Sequence, residues 1–283
     1  MESTKTYHIL NLGAGVQSTA LYLMFLGGEF DEKLDYAVFA DTQEEPEPVY
    51  RHLEWLRSLG GPPILTASAG KLGDDLILGK NSTGQRFASI PAFTSATPGV
   101  TGGMLRRQCT AEYKIHVVER IIRRQIVGLE YRQRMPKGLK VVQYFGLSFD
   151  EPRRVAKVRN RFVGHPWAEG RFPLFDDEMT RADCVEYLRR QAIPHEVPRS
   201  ACVFCPYRSN AEWRHLRETD PAGWARAVEV DEALRRPGTV ANRSMEQAIY
   251  LHRSCLPLVD VDLGGGDVTG GVAQGECEGM CGL

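Results

Sequence analysis

The stretch that decides the fold is NLGAGVQSTALYLM, residues 11–24. A mostly apolar run at 7–12 precedes Gly13-Ala14-Gly15, and a second apolar run at 20–26 follows Gln17-Ser18-Thr19. This order predicts a strand, a tight glycine turn and a helix. The first amide hydrogens of a helix are unpaired and its N-terminal dipole is positive, so such a turn can bind an anion. Ordinary turn chemistry accounts for the same residues equally well.

Apolar runs and helical patterns alternate along the first half of the chain. Strands are predicted at 7–12, 35–40, 63–67 and 140–147, and helices at 17–27, 47–59 and 110–127. This alternation predicts an α/β fold with a parallel twisted sheet and helices on both faces. Ligands of such sheets lie at the carboxyl ends of the strands. The loops that begin at Gly13, Asp41 and Ser148 are therefore expected to meet at one site.

The rest of the chain divides by composition. We predict an α/β domain over residues 1–175, in which the turn-rich segment 70–105 is an insertion or a lid loop. A helical region follows at 176–263, with helix starts at Thr180/Asp183, Ser209/Glu212 and Asp220-Pro221. The glycine-rich residues 264–283 read as a flexible tail that carries Cys277 and Cys281.

Bulk composition limits the class of protein. The chain has 283 residues with 42% hydrophobic and 25% charged residues, which is ordinary for a globular protein. It has no apolar run long enough for a membrane span, and its first residues do not resemble a secretory signal. Seven cysteines in a chain of this length favour metal binding or redox work over a disulfide scaffold. We therefore expect a cytoplasmic protein without membrane partners.

Charge is unevenly distributed. Residues 105–161 contain 15 Lys or Arg and 5 acidic residues, whereas residues 29–47 contain 8 acidic residues and one Lys. Such a basic centre suits a polyanionic partner, either a nucleotide or a nucleic acid strand. A solvated helix face of mixed charge is the alternative for part of this segment.

Two cysteines have the spacing of a metal site. Cys202 and Cys205 are separated by two residues, which lets both thiolates face one metal centre. One such pair is half a site, and a pair of buried thiols or a zinc site remain alternatives. Cys184 lies within a helical pattern and is predicted to be a core residue.

The loops that begin at Gly13 and Asp41 resemble those of a known family. Gly13-Ala14-Gly15-Val16-Gln17-Ser18 follows the first strand, and Asp41-Thr42, with Pro46, Glu47 and Tyr50, follows the next. Over residues 7–210 the chain resembles the adenine nucleotide alpha hydrolase (PP-loop) superfamily, and within it the phosphoadenylyl sulfate (PAPS) reductase-like family. Pyrophosphatase members carry Ser-Gly-Gly-x-Asp-Ser in the first loop. Gly13 and Gln17 depart from that motif, and Gln17 is more like the reductase branch.

Further segments match in the family's order, at 104–114, 146–154 and 172–174. The resemblance implies that ATP or PAPS binds, with Mg²⁺ as an accompanying ion. It implies phosphate-binding roles for Gly13, Ala14, Gly15, Gln17, Ser18, Ser148, Asp150, Arg153 and Arg154. Asp41 and Thr42 would flank the adenosine. Arg106, Arg107 and Lys114 would neutralise charge on the reacting group.

The resemblance also concerns the cysteines. It implies that Cys109 joins Cys202 and Cys205 in holding a [4Fe–4S] cluster, with Cys255, Cys277 and Cys281 as candidates for a fourth ligand. The tail around Cys277 and Cys281 is similar to the Glu-Cys-Gly ending of PAPS reductases, whose cysteine attacks the sulfate sulfur. An inert terminus or a fourth cluster ligand are the other interpretations of that tail.

Three functions follow from the resemblance. In the first, ATP activates an oxygen of a nucleic acid or small molecule, which sulfur then replaces with assistance from the cluster. In the second, a C-terminal cysteine reduces PAPS or APS. In the third, the chain is a non-catalytic nucleic-acid-binding accessory protein that keeps the fold. The implied partners are an adenine nucleotide, a nucleic acid acceptor, and a sulfur donor or reductant such as a cysteine desulfurase or thioredoxin.

Overall fold

The computed structural model describes residues 5–84, 87, 90–237 and 246–264. The strands in this part of the chain are β1 (Thr6–Asn11), β2 (Tyr36–Asp41), β3 (Ile64–Ser68), β4 (Phe93–Ser95), β5 (Gly103–Met104), β6 (Lys140–Phe145), β7 (Ala168–Arg171) and β8 (Ala248–Tyr250). The helices are α1 (Val16–Gly27), α2 (Glu47–Ser58), α3 (Leu72–Ile77), α4 (His116–Ile121), α5 (Pro152–Phe162), α6 (Pro173–Asp176), α7 (Arg181–Arg189), α8 (Asn210–Thr219) and α9 (Pro221–Arg235). Wider π-type turns, Ala111–Ile115 and Ile122–Ile126, extend α4 at both ends.

Five strands form the predicted parallel sheet, in the order β3-β2-β1-β6-β7. Alternate residues of each strand face opposite sides of the sheet. Leu10 and Tyr144 pack with α1, α2 and α7 on one side, while Ile9 and Val141 pack with α4 on the other. The predicted α/β architecture with helices on both faces is therefore confirmed. The strand β7 was not predicted, because its sequence, Ala-Glu-Gly-Arg, is polar and forms a partly exposed edge.

The segment 70–105 has more regular structure than its turn-forming residues predict. It contains α3, β4 and β5, and β4 pairs with β5 and with β8 in a small antiparallel sheet. Strands of two or three residues give no readable period, and their partner β8 lies far along the chain. The predicted insertion or lid loop at 70–105 thus contains short regular elements that the sequence did not reveal.

The three predicted helix starts in the C-terminal part are confirmed. Capping boxes open α7 at Thr180 and α8 at Ser209, and the Asp220 carboxylate accepts the Gly223 amide at the start of α9. A second hydrophobic core joins α3, α8 and α9 with β8. The insertion and the C-terminal part therefore share one core, and β8 shows that this part is not purely helical.

Buried charge fastens this second core to the sheet. Glu44, in the loop after β2, accepts hydrogen bonds from Arg226 of α9 at 2.7 Å and from the Gly73 amide at 3.0 Å. A β-carbon on Gly73 would lie 2.2 Å from a Glu44 carboxylate oxygen, so any larger residue there would displace the Glu44–Arg226 pair. Among the described helices, none has the length and apolar content required to cross a membrane.

Candidate functional site

The topology creates a crevice at the carboxyl edge of the sheet. From β1 the chain passes through α1 to β2 on one side, whereas β6 lies on the other side of β1. The loops that leave β1 and β6 therefore diverge, and such switch points are where open α/β sheets bind ligands. The loop after β2 lies at the same edge, as predicted.

The first loop is tightly folded. Ala14 adopts the left-handed conformation with φ of 59°, and Gly15 is the extended residue that precedes α1. The Ser18 hydroxyl accepts the Gly13 amide and donates to the Gly15 carbonyl, each at 3.2 Å. Ser18 thus shapes the turn, and the amides at the start of α1 are the groups that this loop offers an anion.

Gln17 connects the first loop to the loop after β6. Its amide nitrogen donates to the Ser148 hydroxyl at 3.2 Å and to the Glu151 carboxylate at 3.0 Å. Arg154 forms an ion pair with the same carboxylate. An aspartate at position 17 would place a second carboxylate against Glu151, whereas an amide donates to it. A glutamine at position 17 therefore suits its electrostatic surroundings.

The other predicted nucleotide-binding residues differ in their surroundings. Asp41 accepts hydrogen bonds from the Gln43 amide at 2.7 Å and the Tyr50 hydroxyl at 3.0 Å, which fixes its loop. Asp150 accepts the Arg181 amide at 3.2 Å. Arg153 is exposed on α5. These contacts give Asp41 and Asp150 a role in shaping loops at the edge of the crevice.

The structure brings the three predicted cluster cysteines together. Cys109, Cys202 and Cys205 line one cavity, although about ninety residues separate the first from the other two. The Thr42 hydroxyl lies 3.2 Å from the Cys202 sulfur, so the cavity adjoins the loop after β2. The enclosed volume is about 30 Å³, and Cys109 and Cys202 stay partly exposed. A larger group bound there would extend toward solvent.

Cationic side chains surround these thiols. Arg107 and Lys114 line the cavity, and Arg208 donates to the carbonyls of Ala201, Cys202 and Val203. Burial lowers the pKa of Arg208 to about 10, against the opposing influence of nearby Cys205. A buried guanidinium is costly, and anionic thiolates beside it would offset that cost. Arg106, by contrast, is exposed in the preceding loop.

Burial favours the protonated form of two of these thiols, Cys109 and Cys202. Burial raises the pKa of Cys109 to about 11, while Arg107 and Lys114 act in the opposite direction. Burial and the Glu45 carboxylate raise the pKa of Cys202. Because the thiolate is the nucleophile, Cys109 alone is poorly suited to nucleophilic attack. Metal coordination deprotonates such thiols outright, so a ligand role suits it better.

The donor set fits a cluster better than a single ion. Among the described residues, no group of three or more His, Cys, Asp or Glu side chains is arranged to hold one metal ion. In a [4Fe–4S] cluster each cysteine binds a different iron, so the sulfurs surround a cavity and need not converge on one point. Cys109, Cys202 and Cys205 line one cavity, and Arg107, Lys114 and the buried Arg208 lie nearby, so these residues would fit such a cluster.

A larger cleft opens beside the first loop. It has a volume of about 510 Å³, within the range of roughly 300–1,000 Å³ typical of ligand pockets. Gly15 and Val16 line it at the start of α1, together with Arg181, Arg189 and Arg199. The sequence analysis did not predict a role for these arginines, because the pattern around Arg181 and Arg189 indicates only a capped helix.

A buried ion pair lies between the cavity and the cleft. Lys114, on the cavity wall, is 3.4 Å from one Glu45 carboxylate oxygen, and the Ser200 hydroxyl donates to the other at 3.2 Å. Ser200 also lines the cleft. Burial would lower the pKa of Lys114, but the Glu45 carboxylate raises it above its ordinary value. The two candidate binding regions are therefore neighbours joined by charged groups.

Two histidines were also missed as part of the site. His52 Nε2 lies 2.9 Å from the Thr19 hydroxyl, and His52 Nδ1 lies 2.8 Å from His195 Nε2. His195 lines the large cleft. His52 is buried and its ring stacks on Trp55. Only the folded structure shows that His52 also contacts His195, which lines the cleft.

The remaining cysteines lie elsewhere. Cys184 is buried in the core between the sheet and α7, as predicted. Cys255 packs with Phe93 and Tyr250, apart from the cavity of the other three. Cys277 and Cys281, proposed as nucleophiles or as a fourth ligand, lie outside the described residues. Comparisons with protein-family models, with curated proteins and with solved structures find no match for this chain.

Proposed function

We propose that this protein is an adenine-nucleotide-dependent sulfur-transfer enzyme that holds a [4Fe–4S] cluster on Cys109, Cys202 and Cys205. The observation that carries the proposal is that these three cysteines line one cavity. The Lys114–Glu45 ion pair lies between this cavity and the basic cleft at the start of α1. Together these features support the binding of a nucleotide and of a sulfur-carrying cluster at neighbouring positions.

The cleft would bind the nucleotide through its phosphates. The amides at the start of α1 supply neutral donors, and Arg181 and Arg189 supply positive charge. An acceptor oxygen would attack the α-phosphorus and pyrophosphate would leave, with the arginines stabilising the charge that develops. The terminal sulfur of a persulfide donor would then attack the activated carbon and AMP would leave. A thiol reductant such as thioredoxin would cleave the remaining S–S bond, which leaves the sulfur on the acceptor. A bound cluster would supply a binding site for sulfur beside the cleft.

The second candidate is a sulfonucleotide reductase. Gln17 favours it, because an amide occupies the position at which the pyrophosphatase relatives carry a carboxylate, and Glu151 holds that amide in place. In that reaction a cysteine thiolate attacks the sulfate sulfur of PAPS or APS, and thioredoxin supplies the electrons that release sulfite. The nucleophile would have to come from Cys277 or Cys281.

Anaerobically purified protein incubated with ATP or with PAPS separates these functions. Release of pyrophosphate and AMP from ATP, in the presence of a persulfide donor and an RNA acceptor, supports sulfur transfer. Release of sulfite from PAPS supports the reductase. Binding of nucleic acid without either product supports the accessory protein. Cys202→Ala should lose the iron, the acid-labile sulfide and the visible absorption of the cluster, with Cys184→Ala as the buried-cysteine control.

A further inference from the structure

The cavity of the three cysteines is also lined by a threonine whose hydroxyl has no hydrogen-bond partner in the part of the chain that the structure describes. Thr110 directly follows Cys109, is 9% exposed and lines the same cavity as the three cysteines. Among the described residues, its Oγ1 is one of few buried side-chain oxygens without a hydrogen-bond partner. Buried hydroxyls almost always have a partner, so one that lacks it calls for an explanation.

The local backbone cannot satisfy this hydroxyl. Threonine within a helix usually donates to the carbonyl four residues earlier. For Thr110 that residue is Arg106, which lies in the irregular loop before the helix. The hydroxyl therefore has no helical acceptor within reach and remains available to whatever occupies the cavity.

Two other polar side chains of the cavity are already engaged. The Thr42 hydroxyl contacts the Cys202 sulfur, and Lys114 is paired with Glu45. Within the described residues no fourth cysteine lines the cavity, because Cys184 and Cys255 belong to other cores. Three thiolates account for three irons of a [4Fe–4S] cluster and leave one iron without a cysteine.

We propose that Thr110 faces this fourth iron and takes the place that a cysteine would otherwise have. The inference rests on the proposed cluster. It identifies the iron next to Thr110 as the one that can be exchanged. Cys109 and Thr110 would then approach the cluster from the same end of α4, beside the π-type turn Ala111–Ile115. Such turns are frequent at functional sites.

Oxidation of the cluster tests the proposal. Ferricyanide takes one electron from [4Fe–4S]²⁺, and the iron without a cysteine leaves as Fe²⁺, which gives [3Fe–4S]⁺ with a recognisable EPR signal. The wild-type protein should show this signal. Thr110→Cys should supply a fourth thiolate and reduce the signal by about tenfold or more, because cysteine holds the iron. Thr110→Ser should behave as the wild type, and Thr110→Val should lose the iron faster.

A matched control places the same thiol one residue away. Ala111, next on the helix, is not part of the cavity wall, so Ala111→Cys should leave the signal at its wild-type intensity. If Thr110→Cys shows the wild-type [3Fe–4S]⁺ signal, the inference is wrong. It is also wrong if Ala111→Cys reduces the signal as much as Thr110→Cys does. Either result leaves the proposed cluster itself intact. A change of the [3Fe–4S]⁺ signal in Cys277→Ser or Cys281→Ser would also overturn the inference, because a tail cysteine would then bind the fourth iron. Protein without iron overturns both the inference and the proposed cluster.

Discussion

His52 shows how a single buried side chain couples pH to stability. Burial and the neighbouring His195 lower its pKa to about 4, from an ordinary value of 6.5. In the unfolded chain His52 takes up a proton near its ordinary pKa, whereas the folded protein resists protonation until much lower pH. Its contribution to stability is therefore complete above pH 6.5 and decreases as the pH falls toward 4.

We expect the free energy of unfolding to fall by about 3 kcal/mol between neutral pH and about pH 4 because of His52 alone. Urea titrations over that range would measure it. His52→Gln should remove this part of the pH dependence, and His215→Gln, at an exposed position on α8, should keep it. A pH dependence identical in all three proteins would contradict the buried, neutral state of His52.

Arg189 and Arg190 form a matched pair for testing the cleft. Both side chains are 73% exposed and both pair with Glu186, but only Arg189 lines the cleft. Arg189→Ala should weaken ATP binding by about threefold to tenfold, because it removes one exposed charge near the phosphates. Arg190→Ala should bind ATP as the wild type does. Calorimetric titration distinguishes the two, and equal affinities in all three proteins would remove Arg189 from the nucleotide site.

At the level of elements, the contact between α1 and the loop after β6 depends on one glycine. A β-carbon on Gly146 would lie 2.8 Å from both the amide nitrogen and the α-carbon of Ser18. Neither atom can move without displacing the start of α1. This packing holds the Gln17, Ser148 and Glu151 side chains in hydrogen-bond contact across the switch point.

Gly146→Ala should therefore separate the two loops and lower affinity for ATP by about tenfold or more, with a stability loss of about 1–3 kcal/mol. Gly27→Ala is the control, because a β-carbon there meets its nearest atom at 3.7 Å. ATP binding and urea unfolding, measured on both variants, give the two effects separately. Wild-type affinity in Gly146→Ala would show that the switch point is not where the phosphates bind.

At the level of the whole molecule, Glu44 and Arg226 join the second core to the sheet. The carboxylate is almost fully buried and accepts three hydrogen bonds from the guanidinium. Removing Glu44 breaks this buried pair and leaves Arg226 with the exposed carboxylates of Asp74 and Glu229, which we expect to cost about 3 kcal/mol.

Glu44→Ala should lower the free energy of unfolding by that amount, measured by urea denaturation. It should also increase hydrogen exchange at α9 more than at β1. Asp176→Ala, which breaks an exposed pair with Arg159, should change stability by less than about 1 kcal/mol. A small effect at Glu44 would mean that apolar contacts alone hold the second core on the sheet.

The amino-acid sequence determined the elements that local signals define. Apolar runs such as 140–147 and the capping residues Thr180 and Ser209 predict their strand and helices, because burial and end-capping act over a few neighbouring residues. The same locality marked the glycine turn after β1 as a candidate anion site. It also marked Cys202 and Cys205 as a candidate half of a metal site.

Only the tertiary structure decided the features that depend on distant residues. The β4–β8 pairing, the contact between His52 and His195, and the arginines of α7 beside Gly15 join segments that share no periodicity. The orphaned hydroxyl of Thr110 is likewise invisible in sequence, because its lack of a partner depends on every group packed around it. Local chemistry specifies each element, whereas their packing decides which side chains face a common cavity.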